Sequence, residues 1–404
     1  MYLVIGQGAA GASAANTLRR LDTATPITIV TAEKDYCYNR VDLPDILAGK
    51  YEPSAAELQG VESFRSLGIS CRMGTRVQAV HPQEKIVQLA SGEALKYTKL
   101  LLATGSKPII PRLPGLDARG IHTLWTMEQA RAISGAASRS SSAVVIGAGL
   151  IGLKAGLALA SRGLRVTIVE RLPRVMPRQL DGRAATIISD ALRQAGIELL
   201  LDTEVRSIVA EDGVVSGVKI GARRLACEIV LLAVGVKPNT ELAEAAGLSV
   251  NFGIIVNRNQ QTSVPEIYAA GDAAETSDSL TGGPKVPGIW PVAIRQGEVA
   301  AHNMAGYEMF YDSPPAMNAV EIAGVPLVSM GDIEGAPGDE VLTTQAGNSY
   351  RRLVLRDRTI RGVLCLGDIR QAGVIGAQMI RQTELADPSL LASPQFSFAH
   401  LIDA

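Results

Sequence analysis

The feature that most limits how this chain can fold is a pattern that occurs twice. An apolar run from Tyr2 to Ile5 breaks into Gly6-Gln7-Gly8-Ala9-Ala10-Gly11, an Ala-rich helical stretch follows to about Leu21, and a second run, Ile27 to Thr31, leads to Glu33. The order returns later: Ala143 to Ile146, then Gly147-Ala148-Gly149-Leu150-Ile151-Gly152, a helical stretch to about Ser161, and Val166 to Val169 ending at Glu170. Each is a βαβ unit, because strand-length apolar runs flank a segment of helical periodicity. Leu100-Leu101-Leu102-Ala103-Thr104-Gly105 and Val230-Leu231-Leu232-Ala233-Val234-Gly235 also match, each an apolar strand closing on a glycine turn. The duplication therefore extends beyond the glycine motifs.

G-x-G-x-x-G has a physical meaning. One glycine permits the tight turn, the next lets backbone N–H groups approach a pyrophosphate at a helix N-terminus, and the third allows close helix packing. A single match is weak evidence: at 40 glycines in 404 residues, about 0.4 accidental matches are expected in the chain. Two matches in the same strand-glycine-helix-strand context, each followed by an acid placed to accept from ribose hydroxyls, point to two dinucleotide sites. The expected class is α/β, with two Rossmann-like dinucleotide-binding domains and a small C-terminal α+β domain. Pro-rich Ser106 to Pro114, the change of pattern near Asn251 and Pro314-Pro315 divide the chain into 1–112, 113–250, 251–315 and 316–404.

Lys plus Arg is 39 against 40 for Asp plus Glu, so the balance carries no electrostatic footprint for nucleic acid or an anionic membrane. Four widely spaced cysteines form no C-x-x-C, and four scattered histidines show no metal-ligand spacing, so no metal site is expected. The N-terminus enters a strand pattern at once and no long apolar run interrupts the chain, from which a cytoplasmic protein is expected.

On these motifs the whole chain resembles the FAD-containing pyridine nucleotide-disulfide oxidoreductase superfamily. The resemblance implies that 1–112 and 251–315 form the FAD domain, 113–250 the NAD(P) domain and 316–404 an interface domain. It assigns Gly6, Gly8, Ala10, Gly11, Glu33, Val77, Ala103, Thr104 and Gly105 to FAD, with Gly271 and Asp272 of a later strand-end motif. Pro291 and Ala293, in Trp290-Pro291-Val292-Ala293-Ile294-Arg295-Gln296-Gly297, resemble the segment whose helix N-terminus faces the flavin and whose dipole favours a reduced anion. Gly147, Gly149, Leu150, Ile151, Gly152, Glu170 and Gly235 are assigned to the nicotinamide nucleotide. Glu170 would repel a 2′-phosphate and Arg171 and Arg174 would attract one; the acid favours NADH over NADPH.

Disulfide reductases of the superfamily keep a reactive cysteine beside the flavin, where this chain reads Tyr38-Asn39-Arg40-Val41-Asp42-Leu43-Pro44-Asp45 and aligns Val41 with the thiol. Cys37, four residues upstream, is the one alternative thiol. The Tyr-Asn-Arg stretch instead resembles NADH:rubredoxin reductases, ferredoxin reductases and the flavoprotein part of NADH-dependent nitrite reductase, which implies that Arg40 is an FAD ligand. Many relatives carry a Glu two residues after the third nicotinamide-site glycine, paired with a Lys; here the corresponding residues are Lys154 and Asp45, expected as a charge-exchanged catalytic pair. The expected function is an FAD-dependent NAD(P)H oxidoreductase passing electrons directly to or from an iron–sulfur protein or subunit. An NADH oxidase using oxygen and a nucleotide-responsive scaffold are the alternatives. Homodimeric and heteromeric assemblies both stay open.

Overall fold

The computed structural model describes residues 1–315, 317–393 and 396, so 316, 394–395 and 397–404 of the expected C-terminal part lie outside it. Two compact units divide the chain: Met1–Leu43, Tyr51–Lys107 and Val236–Pro314 form the first, and Pro44–Lys50, Pro108–Gly235 and Pro315–Ala404 the second. Residues 236–250, expected with the nicotinamide part, thus group with the first unit. A reciprocal clasp accounts for this: Asn239 donates from its backbone N to Gly105 O (2.9 Å) and from Nδ2 to Thr104 O (2.8 Å), while Thr104 Oγ1 donates to Asn239 O (2.8 Å). Pro44–Lys50 groups with the second unit, where Arg162 Nη1 donates to Leu47 O at 3.0 Å.

In chain order, the elements that build the sites begin with β1 (Tyr2–Ile5), α1 (Ala9–Leu21), β2 (Ile27–Val30), β3 (Ile69–Arg72) and β4 (Lys99–Leu102). Then come β5 (Ile121–His122), α2 (Met127–Ala137), β6 (Ser142–Ile146), α3 (Leu150–Ser161), β7 (Arg165–Val169), α4 (Gly182–Gln194), β8 (Glu198–Leu200) and β9 (Ile229–Leu232). β10 (Ile267–Ala269) and α5 (Trp290–Met304) return to the first unit. β11 (Met317–Ile322), β12 (Val325–Gly331), β13 (Glu340–Ala346), β14 (Ser349–Arg356), β15 (Thr359–Leu366) and α6 (Ala372–Arg381) follow.

The first unit holds a five-stranded parallel sheet ordered β10-β4-β1-β2-β3, in which Tyr2 is level with Ile27 on one side and Lys99 on the other. The second holds another, ordered β5-β9-β6-β7-β8. β1, β2, β6 and β9 are buried at every position, which is why they read as unbroken apolar runs rather than alternating ones. In each sheet the strand preceding the glycine motif is central and the strand leading to the acid lies beside it. In the first unit α1 packs against α5 through small residues: a Cβ on Gly297 would lie 2.2 Å from Ala10 O. Residues after 316 build a five-stranded antiparallel sheet, β11-β12-β15-β14-β13, covered by α6 through a core that includes Val328, Val363, Ile375 and Met379.

Candidate functional site

The two glycine turns are superposable in their logic. Gly6 has φ +101° and Gly147 φ +108°, both in the left-handed region, and an added Cβ would fall 2.1 Å from Ala103 O and 2.4 Å from Ala233 O. A Cβ on Gly11 or Gly152 would sit 2.0 Å from the carbonyl oxygen of Gly6 or Gly147. These four glycines are required by the protein's own backbone. Gly8 and Gly149 are different. Their φ values, −65° and −76°, suit any residue, and an added Cβ would meet no protein atom within 4 Å. Both are helix N-caps without a side-chain cap, so each stands where first-turn N–H groups look for an acceptor that no capping side chain among the described residues supplies. A pyrophosphate fits both positions, since it needs close approach and supplies the acceptors.

The two strand-end acids are held differently. Glu33 accepts from Tyr38 OH and from Arg40 Nη2, each at 2.6 Å, and the Arg40 guanidinium stacks 5.3 Å from the Tyr38 ring centroid. Burial disfavours the Arg40 charge, but Glu33 and then Tyr38 outweigh it and leave its pKa raised. A small cavity opens among Gln7, Gly8, Glu33, Tyr36, Cys37, Tyr38 and Arg40, which brings together Gly8, the acid and the arginine of the expected FAD residues. Glu170 instead accepts from two backbone amides, Ala148 N at 2.8 Å and Leu172 N at 2.9 Å. Two of its roughly four acceptor positions are used, leaving capacity for hydroxyl groups.

Of the remaining expected FAD residues, Thr104 is tied into the Asn239 clasp and Gly105 has φ +66° with open space where a Cβ would be. Asp272 accepts from Ser106 Oγ at 2.7 Å. Gly271 lies over Ala10 and Ala293, where its missing Cβ would come within 3.1 Å and 3.6 Å of theirs, and Pro291 opens α5. Val77 sits opposite Leu89 in the apolar core, where packing alone accounts for its side chain. In the second unit Leu150 and Ile151 form the half-buried first turn of α3, and Gly235, φ +109°, accepts from Ile109 N at 2.9 Å.

The expected Lys154–Asp45 ion pair is not among those that the described residues make. Asp45 Oδ1 is 2.6 Å from Lys50 Nζ, a cation one helical turn and a glycine farther along the chain. Lys154 is half-buried on α3. Cys37, the alternative thiol, is a free cysteine only 4% exposed, and burial pushes its pKa up to about 11. Val41 is well exposed at the start of the turn that follows. Sequence reasoning missed Tyr38, Ser106 and Gln296. Gln296 is fully buried, with Oε1 accepting from Gly271 N at 2.8 Å, and its position one turn after Pro291 within α5 was the available sign.

Two glycine cradles, two strand-end acids and a C-terminal sheet define a two-dinucleotide flavoprotein. The family described as pyridine nucleotide-disulphide oxidoreductase matches residues 1–297, and the rubredoxin NAD+ reductase C-terminal domain matches residues 317–383. The chain belongs to the pyridine nucleotide-disulphide oxidoreductase family and is an FAD-dependent NAD(P)H oxidoreductase. It is 31% identical to the NADH-dependent phenylglyoxylate dehydrogenase subunit epsilon of Aromatoleum evansii, over 95% of this chain and 92% of that protein. It is also 31% identical to the assimilatory nitrate reductase electron transfer subunit of Bacillus subtilis, over 95% of this chain, and spans half of that protein's length. Among solved structures, the ferredoxin reductase for the CYP199A2 system from Rhodopseudomonas palustris is similar at 27% identity and a TM-score of 0.91, covering 99% of each chain. The similar proteins thus include one named as an electron transfer subunit and one named as a ferredoxin reductase. No helix among the described residues is long and apolar enough to cross a membrane.

Proposed function

We propose that the protein uses NADH and exchanges electrons directly with an iron–sulfur protein or an iron–sulfur subunit of a larger complex, without a redox-active cysteine. The observation that carries this reading is the state of Cys37: buried, with its thiol held well above the pH at which a thiolate attacks. The position aligned with the reactive thiol is Val41. Bound flavin supplies a two-electron hydride acceptor that can also release electrons singly. The chain's own part is to hold and orient. Gly6, Gly8, Gly11 and the first turn of α1 take a pyrophosphate, Glu33 braced by Arg40 takes ribose hydroxyls, and the N-terminus of α5 offers positive dipole to developing negative charge.

Glu170 supports NADH, since a carboxylate fixed on backbone amides cannot turn away from a 2′-phosphate. The partner reading rests on the relatives: one is a subunit of an NADH-dependent dehydrogenase, another an electron transfer subunit, and a similar structure is a ferredoxin reductase. Lys154 stays in the proposal as a half-buried cation one turn into α3, to be tested by Lys154→Met on flavin potential and hydride-transfer rate. A reducing, cytoplasmic setting suits four cysteines that are all free.

The deciding experiment reduces the FAD-loaded protein anaerobically with NADH and follows reoxidation in stopped flow by ferredoxin, by rubredoxin and by air-saturated buffer. Fast reoxidation by an iron–sulfur protein with a slow oxygen reaction is the expected result. Fast reaction with oxygen alone would make the protein an NADH oxidase.

A further inference from the structure

The loop that follows Glu170 runs from 171 to 181 and is tied down at several points. Leu172 N donates to Glu170, and Met176 N, in the left-handed region at φ +45°, donates to Ala148 O inside the glycine turn at 2.9 Å. Asp181 caps α4 through Ala184 N at 2.9 Å and accepts from Tyr350 OH of β14 at 2.6 Å. The loop therefore lies against the nucleotide cradle at one end and the C-terminal sheet at the other.

Two cations near its start are the ones able to receive a 2′-phosphate. Arg171 is exposed. Arg174 is half-buried, with one Nη2 contact to Glu334 and another to Pro177 O at 3.2 Å, while its buried Nε has no partner among the described residues. Glu334 comes from the turn that follows β12, in the C-terminal sheet domain, more than 150 residues away in sequence. Arg352 holds this turn by donating to Ile333 O at 2.8 Å and Glu334 O at 3.1 Å.

We infer that Glu334 is a specificity-determining residue: by occupying Arg174 it removes the half-buried one of the two cations that would otherwise attract a 2′-phosphate, so the C-terminal domain adds to the preference for NADH. This rests on the NADH reading above and extends it from Glu170 to a second carboxylate. The physical reason is that a guanidinium already paired with a carboxylate must exchange one anion for another to bind phosphate, whereas a free guanidinium gains the whole charge-assisted bond. Glu334 repels no phosphate directly; it acts through Arg174. The structural cost of losing it is small, because its side chain is 52% exposed and ion pairs of that kind contribute little to folding.

The test is calorimetric titration of the full-length, FAD-loaded protein with NAD+ and with NADP+, which bind without hydride transfer. Glu334→Gln should move the ratio of the two dissociation constants toward NADP+ by roughly tenfold. Glu334→Ala should do the same. In the double variant with Arg174→Met the gain should vanish, because the freed cation is gone. A wild-type protein that binds NADP+ as tightly as NAD+ would overturn the NADH reading itself. A wild type that prefers NAD+, together with Glu334 variants that keep the same ratio, would leave that reading standing and overturn the role of Glu334. A gain that survives Arg174→Met would also overturn it.

Discussion

The first sheet and the second carry the same scaffold and treat their acids in opposite ways. Both place the glycine-motif strand at the centre, both turn on a left-handed glycine against an alanine carbonyl, and both seat the third glycine on the first. Yet Glu33 is braced by the side chains of Tyr38 and Arg40, and Glu170 by the backbone amides of Ala148 and Leu172. The edge strands differ as well: β10 is the last strand of its sheet in the chain and β5 the first of its own. Backbone geometry is thus the part that duplication preserves. What braces the acid, side chains in the first unit and backbone amides in the second, gives each cradle its own electrostatics.

The strongest way to break this comparison is to fill the shared scaffold. Gly11→Ala and Gly152→Ala each drive a Cβ to 2.0 Å from a backbone carbonyl oxygen, with no flexible side chain to yield, so each should cost more than about 3 kcal/mol. The expected outcomes separate by unit: Gly11→Ala loses FAD, read from the flavin absorbance of purified protein, whereas Gly152→Ala retains FAD and loses NAD+ binding. If one of the pair proved harmless, the two turns would not be equivalent.

The middle glycines sharpen it. Gly8→Ala and Gly149→Ala meet no protein atom and need no special φ, so the unliganded protein should unfold within about 1 kcal/mol of wild type, the smaller unfolded-state entropy of alanine being offset by its poorer fit at a helix N-cap. Nucleotide affinity should nevertheless fall by at least roughly tenfold in the affected unit, because the methyl group takes the space of the approaching phosphate. Urea unfolding of stripped protein and titration with FAD or NAD+ read the two effects separately.

The scaffold was legible in the sequence because its demands are local: three glycines at fixed spacing, unbroken apolar strands and an acid at a strand end. The strand-glycine-helix-strand order of both repeats and the positions of their glycine turns follow from such features, whereas the order of strands within each sheet does not. What sequence could not carry was pairing over distance. Position along the motif pairs Lys154 with Asp45, but Asp45 finds Lys50 nearby on its own short segment. Nothing in the sequence beside Arg174 points to its partner Glu334, which lies in the C-terminal sheet domain. Order along the chain places 236–250 with the nicotinamide part, whereas the Thr104–Asn239 clasp ties it to the first unit.

A third test targets the braces themselves. Arg40→Met leaves Glu33 with only Tyr38 among the two, in surroundings where both charged side chains are less than a third exposed, and removing one partner of a buried pair costs about 1–3 kcal/mol. FAD affinity should fall, and Arg40→Lys should not restore it, since an ammonium lacks the planar face that stacks on Tyr38. The corresponding change in the second unit, Glu170→Gln, keeps one backbone amide satisfied and should be milder in stability while weakening NAD+ binding.

The smallest effect lies in the thiols and appears only at high pH. Burial pushes Cys37 of the first unit up to about 11 and Cys227 of the second up to about 12, against a value near 8.5 in an unfolded chain. Between those limits the unfolded state has lost its proton and the native state keeps it, so stability falls as pH rises from about 9 to 11 and is unaffected below about 8. Tyr97, also raised by burial to about 12, adds to the decline, so the informative quantity is the difference between wild type and Cys37→Ala. The variant should show a shallower loss of stability across that window, with an unchanged rate of flavin reduction by NADH at pH 7.5. A thiol that reacted with an alkylating reagent in the native protein at pH 7.5, with loss of reduction rate, would instead give the first unit a cysteine relay and separate it from the second in chemistry as well as in electrostatics.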